Sequence, residues 1–102
     1  MMLSYQGYTR LISFASVHQA VKAEKLLTQS GIPAYALPTP REIDISCGQC
    51  LLFAAEQEQV ILDRLAASRV CWSKLFSRTL AGDNVYVYEK ITEYGGKRWN
   101  NC

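Results

Sequence analysis

Two cysteines with two residues between them, Cys47 and Cys50, sit in the stretch PTPREIDISCGQCLLFA, Pro38 to Ala54. Cysteine works as a thiolate, which attacks persulfides and disulfides and binds metals. Lowering a thiol's pKa requires hydrogen-bond donors or positive charge beside it. Several neighbours of Cys47 are suited to that task. Gly48 permits backbone conformations closed to other residues. Successive N–H groups in such a loop form an anion-binding concavity. Arg41 brings a permanent cation to the same loop, and Glu42 beside it can orient that cation. Pro40 and Ser46 complete the candidate loop. The competing reading is plain: Arg41 and Glu42 as a solvated pair worth little, and Cys47 as a small buried hydrophobe ahead of a strand.

Cys50 has three readings. It is a resolving thiol that forms a disulfide with Cys47, a group that displaces cargo from Cys47, or the first core residue of the following strand. A thioredoxin-type pair opens a helix, whereas GQCLLFAA has the composition of a strand. A structural zinc site usually needs two close ligand pairs. Only Cys47 and Cys50 form one, and the single histidine, His18, is far upstream. His18 has a pKa suited to exchanging a proton near Cys47, although a histidine in a helix's first turn is more often simply exposed. Cys71 and Cys102 have no local activating neighbours, and Cys102 is placed to oxidise adventitiously.

The chain has 102 residues, enough for one domain with a modest core. It is 49% apolar with a net charge of +2 and interspersed signs. That is too apolar for a disordered chain, and it gives no electrostatic footprint for nucleic acid or an anionic membrane. No apolar run is long enough to span a bilayer. MMLSYQGYTR lacks the basic start and apolar core of a secretory leader. The expected location is therefore the cytoplasm, where thiols stay reduced.

The elements that must position the loop follow from periodicity. Thr9–Ala15 alternates and is rich in β-formers, which predicts a strand. Ser16 is placed as a helix N-cap, with Gln19 completing a capping box. Val17, Ala20, Val21 and Leu27 give the helix its apolar face, opposite Lys22, Lys25 and Gln29, and Gly31 ends it. Ile32–Leu37 predicts a second strand, stopped by Pro38 and Pro40. A polar loop from Thr39 to about Gly48 leads to a third strand, Leu51–Ala55. Glu56 and Glu58 favour the start of a helix that buries Ile61, Leu62 and Leu65. Val70–Thr79 reads as a fourth strand with imperfect alternation, and Val85–Ile91 returns as a fifth through the AGDN turn. Trp72, Tyr86 and Tyr88 are expected as an aromatic cluster, packed on the sheet or offered to a second copy.

This order, βαββαβ with an additional C-terminal strand, predicts an α+β ferredoxin-like sandwich with both helices on one face of an antiparallel sheet. Residues 1–8 are read as a loose lead-in, 9–91 as a single domain and 92–102 as a mobile tail. The topology predicts a convergence. The start of the first helix, Ser16 to Gln19, should face the Cys47 loop, and the start of the fourth strand near Cys71 should reach the same edge.

The strand LISFAS, the helix HQAVKAEKLL, then GIPAYALPTPREI and SCG resemble the small bacterial family of putative Se/S carrier protein-like chains. The resemblance covers roughly Leu11 to Val70, and PTPRE followed by SCG is its most specific part. It implies that Cys47 holds sulfur or selenium as a persulfide or selenopersulfide. The chain departs from the family pattern at Cys50, where a small apolar residue is expected, and Val85–Cys102 lies outside the resemblance.

The leading expectation is a cytoplasmic selenium or sulfur carrier rather than a turnover enzyme. It would have no cofactor beyond its covalent cargo. Its partners would be chalcogen donor and acceptor enzymes, with a homo-oligomer open and no nucleic acid or membrane. The rivals are a ferredoxin-like ligand-sensing or protein-interaction module with an inert cysteine, and a thiol-redox protein using Cys47 and Cys50. A fast, accessible Cys47 distinguishes the first, and a reversible Cys47–Cys50 bond the last.

Overall fold

The computed structural model describes residues 7–40, 43, 48–83 and 85–93. Eight elements follow in order. They are β1 (Arg10–Phe14), α1 (Val17–Gln29), β2 (Tyr35–Pro38), β3 (Gln49–Phe53), a single 3₁₀ turn (Ala55–Gln57), α2 (Glu58–Ala67), β4 (Trp72–Gly82) and β5 (Val85–Glu93). The strands form one antiparallel five-stranded sheet in the order β2-β3-β1-β4-β5. The fold class is α+β, with β1 central.

Alternation along β1 decides what covers each face. Ile12 and Phe14 point to one side. There they join Leu51, Phe53 and Leu75 from the sheet, Ala20, Ala23 and Leu27 from α1, and Ile61 and Leu65 from α2. Both helices therefore pack on one face, as the element order predicts. Leu11 points to the other side, where Cys50, Leu52 and Phe76 form a smaller cluster covered by Tyr8, Leu37, Ile43 and Tyr88. Burying each large apolar side chain contributes about 1.5–3 kcal/mol, so the helix face dominates stability. Arg10 Nε meets Glu58 Oε1 at 2.7 Å and ties the start of β1 to the start of α2.

Several boundaries move from their expected places, each for a physical reason. β2 begins at Tyr35 and includes Pro38. Proline is tolerated there because β2 is an edge strand and loses no ladder bond. β3 starts at Gln49 and ends at Phe53, because Ala55 already belongs to the 3₁₀ turn. β5 runs on to Glu93, paired with Lys74, so Thr92 and Glu93 belong to the sheet. In α1, Val17 and Val21 are exposed, whereas Ala20, Ala23 and Leu27 are buried. At about 100° per residue, Val17 and Val21 lie a quarter turn or more from the core direction. The expected aromatic cluster is split. Trp72 packs against the helix-side core and Tyr88 against the opposite face, while Tyr86 lies under the Arg78 guanidinium, 3.8 Å from its ring centroid.

Both helices end in the same double-bonded cap. At α1, Ile32 N–H donates to Leu27 O and Gly31 N–H to Thr28 O, with Gly31 at φ 74°. At α2, Val70 N–H donates to Leu65 O and Arg69 N–H to Ala66 O, with Arg69 at φ 57°. Only glycine adopts that left-handed conformation without cost. Open space surrounds the position a Cβ would take at Gly31, so its requirement is conformational rather than steric. Gly31→Ala should lower stability by about 1 kcal/mol, and Arg69→Gly should raise it by up to about 1 kcal/mol. Urea unfolding of both variants checks this. Opposite signs with unchanged m-values are expected.

Candidate functional site

The candidate loop joins β2 to β3 as a long hairpin. Its base is closed by the pairing of Pro38 with Gln49 and by Thr39 N–H donating to Gly48 O at 3.2 Å. Within the loop, Ile43 N–H donates to Pro40 O at 3.1 Å, and the Ile43 side chain packs on the open-face cluster. The loop is thus anchored at both ends and once in the middle. Arg41, Glu42, Ser46 and Cys47 lie outside the described residues. Pro40 is half-buried and Gly48 exposed.

The sheet register locates the edge to which this loop belongs. Ser13 pairs with Cys50 on one side of β1, and Phe14 pairs with Trp72 on the other. Gly48 and Cys71 therefore flank the end of β1, where the chain turns into α1. Ser16 caps α1, its Oγ accepting from Gln19 N–H at 3.3 Å. The Gln19 side chain is turned across the edge to β4's lead-in, with Oε1 accepting from Cys71 N–H at 3.0 Å. In a capping box that oxygen would reach back to Ser16. Here it satisfies a buried main-chain donor of another element. The start of α1 thus meets Cys71 as the topology predicts, and the register puts Gly48 at the same end of the sheet. His18, beside them in the first turn of α1, is exposed.

Cys50 is placed differently. It is 0% exposed on β3, is present as a thiol, and its Sγ donates to Leu37 O at 3.6 Å. That is the placement of a core residue at the start of its strand. Cys71 is 5% exposed and disulfide-bonded, with its partner outside the described residues. The expectation that all thiols are reduced does not describe Cys71 in this structure. Gly48 has no left-handed φ, and no atom crowds the place of its Cβ among the described residues. The conformational reason for glycine at 48 therefore falls away.

A family model described as putative Se/S carrier protein-like matches residues 9–77. The chain belongs to that family. The matched range spans the whole loop, including Cys47, and continues through Cys71 into β4, leaving β5 outside. No curated protein and no solved structure matches the chain. Among the described residues no helix is long and apolar enough to cross a membrane, and no three His, Cys, Asp or Glu side chains gather as a metal site.

Two members of the edge were not singled out as site residues from sequence. Gln19 was assigned to capping, and only the tertiary contact shows its bond to Cys71. Thr39 is the other. It is 9% exposed, and its Oγ1 is buried with no hydrogen-bond partner among the described residues. A threonine held between two prolines just after a strand is a visible sequence sign of a constrained, inward-facing residue. An unsatisfied buried hydroxyl costs about 1–3 kcal/mol, so this hairpin base carries a local penalty. Thr39→Val keeps the branched shape and removes the hydroxyl. It should raise stability by about 1 kcal/mol, read as a higher urea midpoint. A fall in the midpoint would show that the hydroxyl has a partner.

Proposed function

We propose that this chain carries sulfur or selenium on Cys47, as a persulfide or selenopersulfide, between a donor and an acceptor enzyme. It acts in the cytoplasm, where a thiol is available for loading, and it does not turn over a substrate of its own. The supporting observation is the Se/S carrier family match across the loop that contains Cys47. The geometry of the edge supplies the physical reason. α1 is 13 residues long, and its N-terminal turn has N–H groups without intrahelical partners and the positive end of the helix dipole. That turn meets the sheet end at which β3 begins. A selenopersulfide is a stronger acid than a thiol and stays anionic at neutral pH. Donors and the Arg41 cation near such a group would favour the loaded form over the empty one. The order β2-β3-β1-β4 with both helices on one face is read as a ferredoxin-like unit, with β5 added at its edge.

The test is direct. Wild-type protein incubated with selenite and glutathione should gain covalent selenium by intact mass, and Cys47→Ser should not. Alkylation of Cys47 followed against pH should give an apparent pKa below the ordinary value of about 8.5. Cys50→Ser should load and release as wild type does, with some stability lost, because Cys50 is buried in the sheet. Equal selenium incorporation in wild type and Cys47→Ser would remove the carrier role from this residue and leave an interaction module in front.

A further inference from the structure

We propose that Cys71 is the resolving thiol that discharges the chalcogen from Cys47, a role that rests on the carrier reading above. The first observation is that Cys71 is disulfide-bonded. The chain has four cysteines, and Cys50 is present as a thiol, so Cys47 and Cys102 are the partners its sequence offers. The second observation is the register. Gly48, the chain neighbour of Cys47, closes the base of the loop, and Trp72, the neighbour of Cys71, pairs with the last residue of β1. Strands on either side of β1 are about 10 Å apart. β1 stops at Phe14, so beyond it no strand separates the two lead-ins. They can close there to the roughly 4–7 Å between Cα atoms that a disulfide needs.

The third observation is the hold on Cys71. Its N–H is fixed by Gln19 Oε1 in the first turn of α1, and the strained left-handed Arg69 stands two residues before it. A thiol beside a helix N-terminus is favoured as thiolate. Cys71 is thus buried, and its main chain is held at the first turn of α1.

The chemistry balances without an external oxidant. The Cys71 thiolate attacks Sγ of Cys47 in its selenopersulfide. The S–Se bond breaks and its electron pair leaves on selenium. The thiolate's pair forms the new Cys47–Cys71 bond, and the proton that Cys71 gave up on ionising passes to the departing selenium, so that hydrogen selenide anion is released. The sulfur case is identical, with hydrosulfide released. A dithiol reductant then returns both cysteines to thiols, its own pair becoming the disulfide. A disulfide of this kind is transient, which suits a reducing compartment.

The experiment uses the full chain. Wild type, Cys71→Ser, Cys71→Ala and Cys102→Ser are reduced, loaded with selenite and glutathione, freed of small thiols by gel filtration, and followed by intact mass and non-reducing peptide mapping. Wild type and Cys102→Ser should lose selenium while a peptide joining Cys47 to Cys71 appears. Both Cys71 variants, if folded by circular dichroism, should load fully and retain selenium at least tenfold longer. Discharge at the wild-type rate in either Cys71 variant overturns the proposal, as does a peptide joining Cys71 to Cys102, or a folded Cys71 variant that does not load. Failure of the carrier reading looks different: wild type itself gains no selenium, or Cys47→Ser gains as much.

Discussion

One extra residue in β4 governs how the centre of the sheet is satisfied and which face each residue of β4 takes. Between the pairings Ile12–Leu75 and Phe14–Trp72, β1 advances two residues and β4 three. Such a bulge interrupts the ladder and leaves main-chain groups to be satisfied otherwise. The Ser13 hydroxyl does so, accepting from Lys74 N–H at 3.2 Å and donating to Lys74 O at 3.4 Å. Ser13 is fully buried, and this double bond is what makes a hydroxyl tolerable in the middle of the sheet. The bulge also resets the alternation of β4, so that Trp72 and Leu75 both face the helices. Cys71 is thereby delivered past the end of β1 and against the first turn of α1.

Much of this was legible in the sequence, for identifiable reasons. LISF, with all four residues buried, announces a central strand covered on both faces. Ser16 and Gly31 mark the ends of α1 because a hydroxyl cap and a left-handed residue are local requirements, met locally. The convergence of α1, the loop base and Cys71 followed from element order alone, since antiparallel neighbours bring alternate connections to one edge. The imperfect alternation of VCWSKLFSRT was the visible trace of the bulge. A sequence pattern shows that the period breaks, not which partner compensates, and the compensating residue, Ser13, lies 61 positions from Lys74.

What was not legible depended on contacts between distant elements. Gln19 fits a capping box by spacing, yet its oxygen bonds Cys71, 52 residues away. Val17 and Val21 are apolar and suitably spaced, yet the core direction of α1 is set by the small residues Ala20 and Ala23, which let the helix approach the sheet. Trp72 and Tyr88 were grouped because both are aromatic and both lie on the terminal hairpin. The bulge and the pleat place them on opposite faces. The candidate site divides in the same way: Gly48 and the loop base could be anticipated, whereas the hold on Cys71 and the orphaned Thr39 hydroxyl could not.

The two thiols closest in sequence are, for the same reason, a poor guide to chemistry. Extended residues three apart are separated by about 10 Å and point to opposite faces. A disulfide needs Cα atoms within about 7 Å. Gln49 and Cys50 are already in β3, and Cys50 is directed into the cluster on the open face, where its S–H is occupied by Leu37 O. On the proposed carrier assignment, Cys47 would draw its partner from the adjoining sheet edge rather than from its own strand. At that edge the sheet offers Cys71, held by Gln19 beside the helix terminus that would stabilise a thiolate. On the proposed assignment, placing the second thiol across the edge separates two demands: Cys50 serves the core as a thiol, while loading and discharge would fall at the end of β1, between lead-ins rather than within the ladder.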